Sequence, residues 1–160
     1  MISSSIKVTI TLLFVSLIIS CQSQPAEMPL STDLYDSLKA QEYGADDYGM
    51  RKYVIAFLKQ GPNRDLSPEK ANELQAAHMK NIRVMAEAGK LAMAGPFYGE
   101  GELRGLYFFN VESLEEAQAL TKSDPAVQAG SLVLELKEWY GSAALMAVGD
   151  IHKTLAKVDI

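Results

Sequence analysis

The order of segments between Lys52 and Tyr140 leaves few folds open. "KYVIAFLK" at 52–59 is β-branched, aromatic and almost wholly apolar, as a central strand must be. A Gly/Pro loop, "QGPNRDL", comes after it. Ser67 then offers an N-cap, Pro68 suits a first helical position, and Gly89 offers a stop. "LAMAGPF" at 91–97 and "LRGLYFFNV" at 103–111 read as strands joined by a Gly-Glu-Gly loop at 99–101. Ser113-Leu-Glu-Glu116 is a capping box for a second helix running to about Lys122, broken by Pro125 and Gly130. "SLVLELKEWY" at 131–140 alternates Leu132, Leu134 and Leu136 with Val133, Glu135 and Lys137, the pattern of a half-exposed strand. The sum is β-α-β-β-α-β, an α+β chain of the split-βαβ or ferredoxin-like type.

Such a sheet carries helices on one face only. The other face of these strands is too apolar to stay wet, and so small a core stabilises itself only marginally. Pairing two sheets face to face resolves both problems, so a homodimer forming an α/β barrel is expected.

Ahead of this domain, Lys7 precedes "VTITLLFVSLIIS", which ends at Ser20, directly before Cys21, the single cysteine of the 160 residues. The apolar run is too short to span a bilayer and fits the core of a signal peptide. Ile18-Ile19-Ser20-Cys21 resembles a bacterial lipobox, in which the cysteine is lipidated after cleavage. Acylation also removes the difficulty of a free thiol in an exported chain. The chain thereby divides into a lipoprotein-type signal peptide at 1–20, a lipidated polar tether at 21–49, the folded domain at 50–145 and an extension at 146–160. The globular part would then lie in the bacterial cell envelope, in the periplasm or outside the cell, held to a membrane through its N-terminal lipid. Asp33 to Ala40 allows a short helix within the tether, and the extension is either a terminal helix covering an edge or a frayed tail.

Net charge excludes one function class. At −5 with a pI near 5.0, the chain has no basic footprint for nucleic acid. The glycines of "AGPFYGEGELRG" do not form a dinucleotide fingerprint, and His78, His152 and the scattered carboxylates lack metal-ligand spacing. No cofactor and no metal are expected.

One polar residue breaks the pattern of the first helix. Ala71, Leu74, Ile82 and Met85 fall on a narrow stripe at helical spacing, and His78 lies in its middle. It is either a core histidine satisfied by a backbone carbonyl or the working group of a pocket. Imidazole titrates near neutrality, and a carboxylate partner would fix its tautomer as a general base. Arg64 and Asp65 in the loop after the first strand, Arg104 in the third strand and Tyr53 in the first are weaker pocket candidates. Loop solvation, the sheet rim and core packing are their ordinary roles. Phe97, Tyr98, Tyr107, Phe108 and Trp139 are read as core or interface packing.

"YVIAFLKQGPNRDLS", "HMKNIRVMAEAGKLAMAGPF" and "GELRGLYFFNVESLEEAQALTKSDPAVQAGSLVLELKEWYGSAAL" together resemble the YCII-related (YciI-like) domain family over roughly residues 50–145. The resemblance implies a ferredoxin-like protomer that dimerises. It also implies a His/Asp acid–base pair, matched here by His78 in "AAHMKNI" and Asp124 in "KSDPAV". One branch of that family removes chloride from a hydroxylated aromatic ring. The expectation is therefore small-molecule acid–base chemistry, with a non-catalytic ligand-binding or scaffold module as the alternative.

Overall fold

The computed structural model describes residues 34–158. The expected signal peptide, Cys21 and the first part of the expected tether lie outside the described residues. A compact unit starts at Tyr35 and holds every helix and strand of the fold.

Strand β1 (Met50–Gln60) leads to helix α2 (Pro68–Glu87), preceded by a short helix α1 (Ser37–Glu42). Strands β2 (Leu91–Pro96) and β3 (Leu103–Phe109) come next, then helices α3 (Leu114–Lys122) and α4 (Pro125–Gln128) and strand β4 (Leu132–Ser142). A 3₁₀ turn at Ala143–Ala147 and helix α5 (Val148–Leu155) close the chain. The four strands lie in the order β2-β3-β1-β4, with every neighbouring pair antiparallel. This is the expected βαββαβ sheet.

The caps are those the residue types dictate. The Ser67 hydroxyl accepts from the Lys70 amide, and Gly89 sits at φ +67° after α2. There the amides of Gly89 and Lys90 donate to the carbonyls of Ala86 and Met85, a Schellman close that only glycine enters without strain. Ser113 caps α3 at the Glu116 amide, and the Glu116 carboxylate reaches back to the Glu112 amide. Pro125, expected as a breaker, instead opens the one-turn α4 behind Asp124.

One face of the sheet carries Val54, Ala56, Leu58, Tyr107 and Phe109, which pack with Met85, Leu91 and Ala117 into the core under the helices. Leu132, Leu134 and Leu136 of β4 join them from the same face, as the leucine alternation required. On the opposite face, Trp139 packs against Tyr53 and Phe108, with ring centroids 5.9 and 5.5 Å apart. The segment after β4 turns back to the sheet: the 3₁₀ turn contacts β1 and β2, and α5 contacts the edge strand β2.

The compact unit takes in residues before the expected boundary at 50. Asp36 caps α1 at the amides of Leu38 and Lys39, and the Arg51 guanidinium donates to the Tyr43 carbonyl at 2.7 Å. The Tyr140 hydroxyl bonds the Asp46 carboxylate. In this segment polar residues serve as caps and docking points, so composition alone reads as tether.

Candidate functional site

His78 projects from the middle of α2 toward the sheet and is 8% exposed. The helical phase that buries Met85 buries it too. Its partner comes from 46 residues away. Asp124, 1% exposed, sits at the N-cap of α4, where its Oδ1 accepts from the Ala126 amide at 2.9 Å. The same carboxylate meets His78 Nδ1 at 2.8 Å (Oδ2) and 3.0 Å (Oδ1). A carboxylate only accepts, so Nδ1–H donates, and in the neutral ring Nε2 keeps its lone pair. The ring's tautomer and orientation are thereby set.

Tyr107 on β3 completes the group. Its hydroxyl lies 3.3 Å from His78 Nε2 and 3.5 Å from Asp124 Oδ2, with the two rings stacked at 6.3 Å. The phenol is held above its ordinary value, first by burial and then by the adjacent Asp124 charge. A group whose folded-state pKa is raised contributes stability that is present below its unfolded value, about 10, and is lost as pH climbs above that. The protein is therefore expected to lose stability above about pH 10, and Tyr107→Phe should flatten that alkaline loss. Denaturant midpoints of the two proteins across alkaline pH check this; parallel declines would contradict it.

His78 and Tyr107 open into a cleft of about 750 Å³ between α2, the ends of β2 and β3, and the loop after β1. That volume suits a small organic ligand. Leu58, Leu74, Ile82 and Phe97 make its walls largely apolar. Arg64 and Arg104 line it. Tyr53 does not: it points to the opposite face of the sheet, fully buried, with its hydroxyl donating to the Ser142 carbonyl at 3.0 Å. The period of two along β1 decides this, because Val54, Ala56 and Leu58 face the helices.

Two lining residues carry no distinguishing mark in the sequence. Tyr107 passes for a packing aromatic; its phase on β3 with Phe109 is the available signal. Arg83 follows Ile82 at the border of the apolar stripe, where a solvated charge is ordinary. Among the described residues no group of three or more His, Cys, Asp or Glu side chains converges on a potential metal site.

The YCII-related domain model matches residues 52–140. The chain is 38% identical over 72 residues to the uncharacterized protein YjpA of Bacillus subtilis (strain 168), covering 44% of this chain and 82% of that one. It also resembles a solved structure, the 5-chloro-2-hydroxyhydroquinone dehydrochlorinase TftG from Burkholderia phenoliruptrix AC1100 in complex with 2,5-dihydroxybenzoquinone. There the TM-score is 0.41 at 20% identity, over 54% of this chain and 92% of the other, a likeness too distant to transfer chemistry. With its family model spanning more than half its length, this chain belongs to the YCII-related domain family.

Proposed function

We propose that the protein performs acid–base chemistry on a small organic molecule, with His78 Nε2 as the base and Asp124 as the residue that orients it. One observation carries the reading: a buried carboxylate fixes Nδ1–H and leaves the other ring nitrogen at the wall of an apolar cleft. Proton abstraction, isomerisation and elimination all suit such a base, because each begins by removing a proton from a hydroxyl or an activated carbon. Tyr107, neutral over the physiological range, can donate a hydrogen bond to a substrate oxygen. A substrate must displace the Tyr107 hydroxyl from Nε2, and that contact also favours a second reading in which the site only binds ligand.

Deuterium incorporation from heavy water into a panel of hydroxylated aromatic compounds and keto acids separates the two. Wild type is expected to exchange substrate protons, and His78→Gln to lose about 10²–10⁴-fold in rate, the usual worth of a positioned base, while its circular dichroism stays the same. If ligands bind equally to both proteins and neither exchanges, the binding module is correct.

The same proposal places the protein at a membrane through Cys21, supported by the apolar run that ends directly before it. Palmitate label should enter the wild type and be absent from Cys21→Ser; equal labelling would refute the anchor. It also pairs two protomers through the open sheet face, supported by Val133 and Trp139, 43% and 38% exposed beside the half-buried Phe57 and Phe108. Light scattering of a Trp139→Glu variant should then report a monomer, and an unchanged mass would contradict that pairing.

A further inference from the structure

Among the described residues, the charged side chains lining the cleft, His78 apart, are Arg64, Arg83 and Arg104, and no Asp or Glu lines it. That is a local reversal in a chain carrying net charge −5. None of the three arginines takes part in an ion pair among the described residues, although seven lysine–carboxylate pairs occur elsewhere. The nearest hydrogen-bond partners are weak. Arg64 Nη1 stands 3.5 Å from the Ser131 carbonyl, and Arg104 Nη1 stands 3.5 Å from the Gly99 carbonyl.

Arg104 is there because of a backbone irregularity. The register of β1 with β3 slips between Leu58 and Lys59: Leu58 pairs with Gly105, and Lys59 pairs with Leu103. Arg104 is the extra residue of this bulge. In a regular strand it would face away from Gly105, yet both line the cleft. A bulge that turns a guanidinium into a pocket is a recurrent device beside functional sites. Arg83 comes from α2, the helix that carries His78, so helix and sheet each present a cation to one space.

From this we infer that the ligand is a small organic acid, an apolar or aromatic body bearing a carboxylate. The body fills the Leu58, Leu74, Ile82 and Phe97 walls, and the carboxylate is held by Arg104 and Arg83, with Arg64 at the loop. Guanidinium matches a planar carboxylate through parallel N–H donors, which selects this class over neutral compounds of equal shape. As a statement about catalysis it rests on the His78 reading; as a statement about binding it stands apart from it.

Calorimetric titration of the full-length chain in non-ionic detergent with benzoate, benzamide and inorganic phosphate provides the test. Benzoate is expected to bind saturably, benzamide at least about tenfold more weakly, the scale of one charge-assisted hydrogen bond. Arg104→Ala and Arg83→Ala should each weaken benzoate about tenfold and leave benzamide unchanged, Arg104→Lys should recover part of the loss, and added salt should weaken benzoate alone. Benzoate and benzamide binding alike, no saturable benzoate binding, or arginine variants with wild-type affinity would each overturn the inference. Competition by phosphate as effective as benzoate would overturn the organic acid in favour of a bare oxyanion. His78→Gln keeps the discrimination between benzoate and benzamide while it removes proton exchange. Failure of the base therefore leaves the charge preference intact, and failure of the charge preference leaves exchange on neutral substrates intact.

Discussion

Asp124→Ala should lower the stability of the folded domain by about 2–4 kcal/mol and abolish whatever proton transfer the site performs. The first part adds two losses. Removing the N-cap from α4 costs about 1 kcal/mol, and stranding the buried His78 Nδ1–H costs about 1–3 kcal/mol. The carboxylate now serves both, at 2.9 Å from the Ala126 amide and 2.8 Å from Nδ1. Urea titration should show a lower midpoint at an unchanged slope. Asp124→Asn separates structure from chemistry. Its amide oxygen can still cap α4, but an amide N–H facing Nδ1 drives the proton to Nε2 and removes the base. That variant should keep most of the stability and lose the activity. An Asn variant as active as wild type would mean that the tautomer is irrelevant to function.

Gly61→Ala should be strongly destabilising, because the added methyl meets backbone. A Cβ at this position would lie 2.2 Å from the Gly130 carbonyl oxygen and 2.8 Å from the Ser131 carbonyl carbon. Both neighbours are backbone, held by the amides of Gly61 and Asn63 donating to the carbonyls of Ser131 and Gly130 at 2.9 and 3.0 Å. No rotamer relieves the clash, so the loop must move away from β4, at about 3 kcal/mol on the scale of overpacked sites. Ligand binding should fall with it, because the displaced loop carries Asn63, Arg64 and Leu66 of the cleft wall. Gly101→Ala is the control. It meets nothing within 4 Å and should stay within about 0.5 kcal/mol of wild type. Equal midpoints for the two variants would show that the loop adjusts freely.

Local chemistry makes the strand and helix order readable in the sequence. Ser67, Pro68 and Gly89 bound α2, Ser113 and Glu116 open α3, and the Leu132, Leu134 and Leu136 alternation fixes the buried face of β4. His78 is visible as a polar break in an apolar stripe. Asp124 can be paired with it only through the family resemblance, since no local pattern links residues 46 positions apart. What stays hidden depends on register. The bulge that redirects Arg104 is a property of two strands, and neither strand encodes it alone. Tyr107 and Tyr53 are both aromatics in apolar strands, yet one joins His78 and the other turns to the far face. The phase of each strand against the helices decides between them. The docking of residues 35–49 escapes the sequence because its determinants, Asp36, Tyr43 and Asp46, are polar residues that look the same in a solvated tether.

The His78–Asp124 base is tested most directly by an NMR spectrum correlating the imidazole nitrogens with the ring protons of the full-length chain, at a pH where the rings are neutral. His78→Gln identifies the signals of His78 against those of His152. The structure calls for a single His78 tautomer with the proton on Nδ1 and a bare Nε2, and for Asp124→Asn to move that proton to Nε2. A wild-type His78 protonated at Nε2, or one averaging freely between both forms, would contradict it.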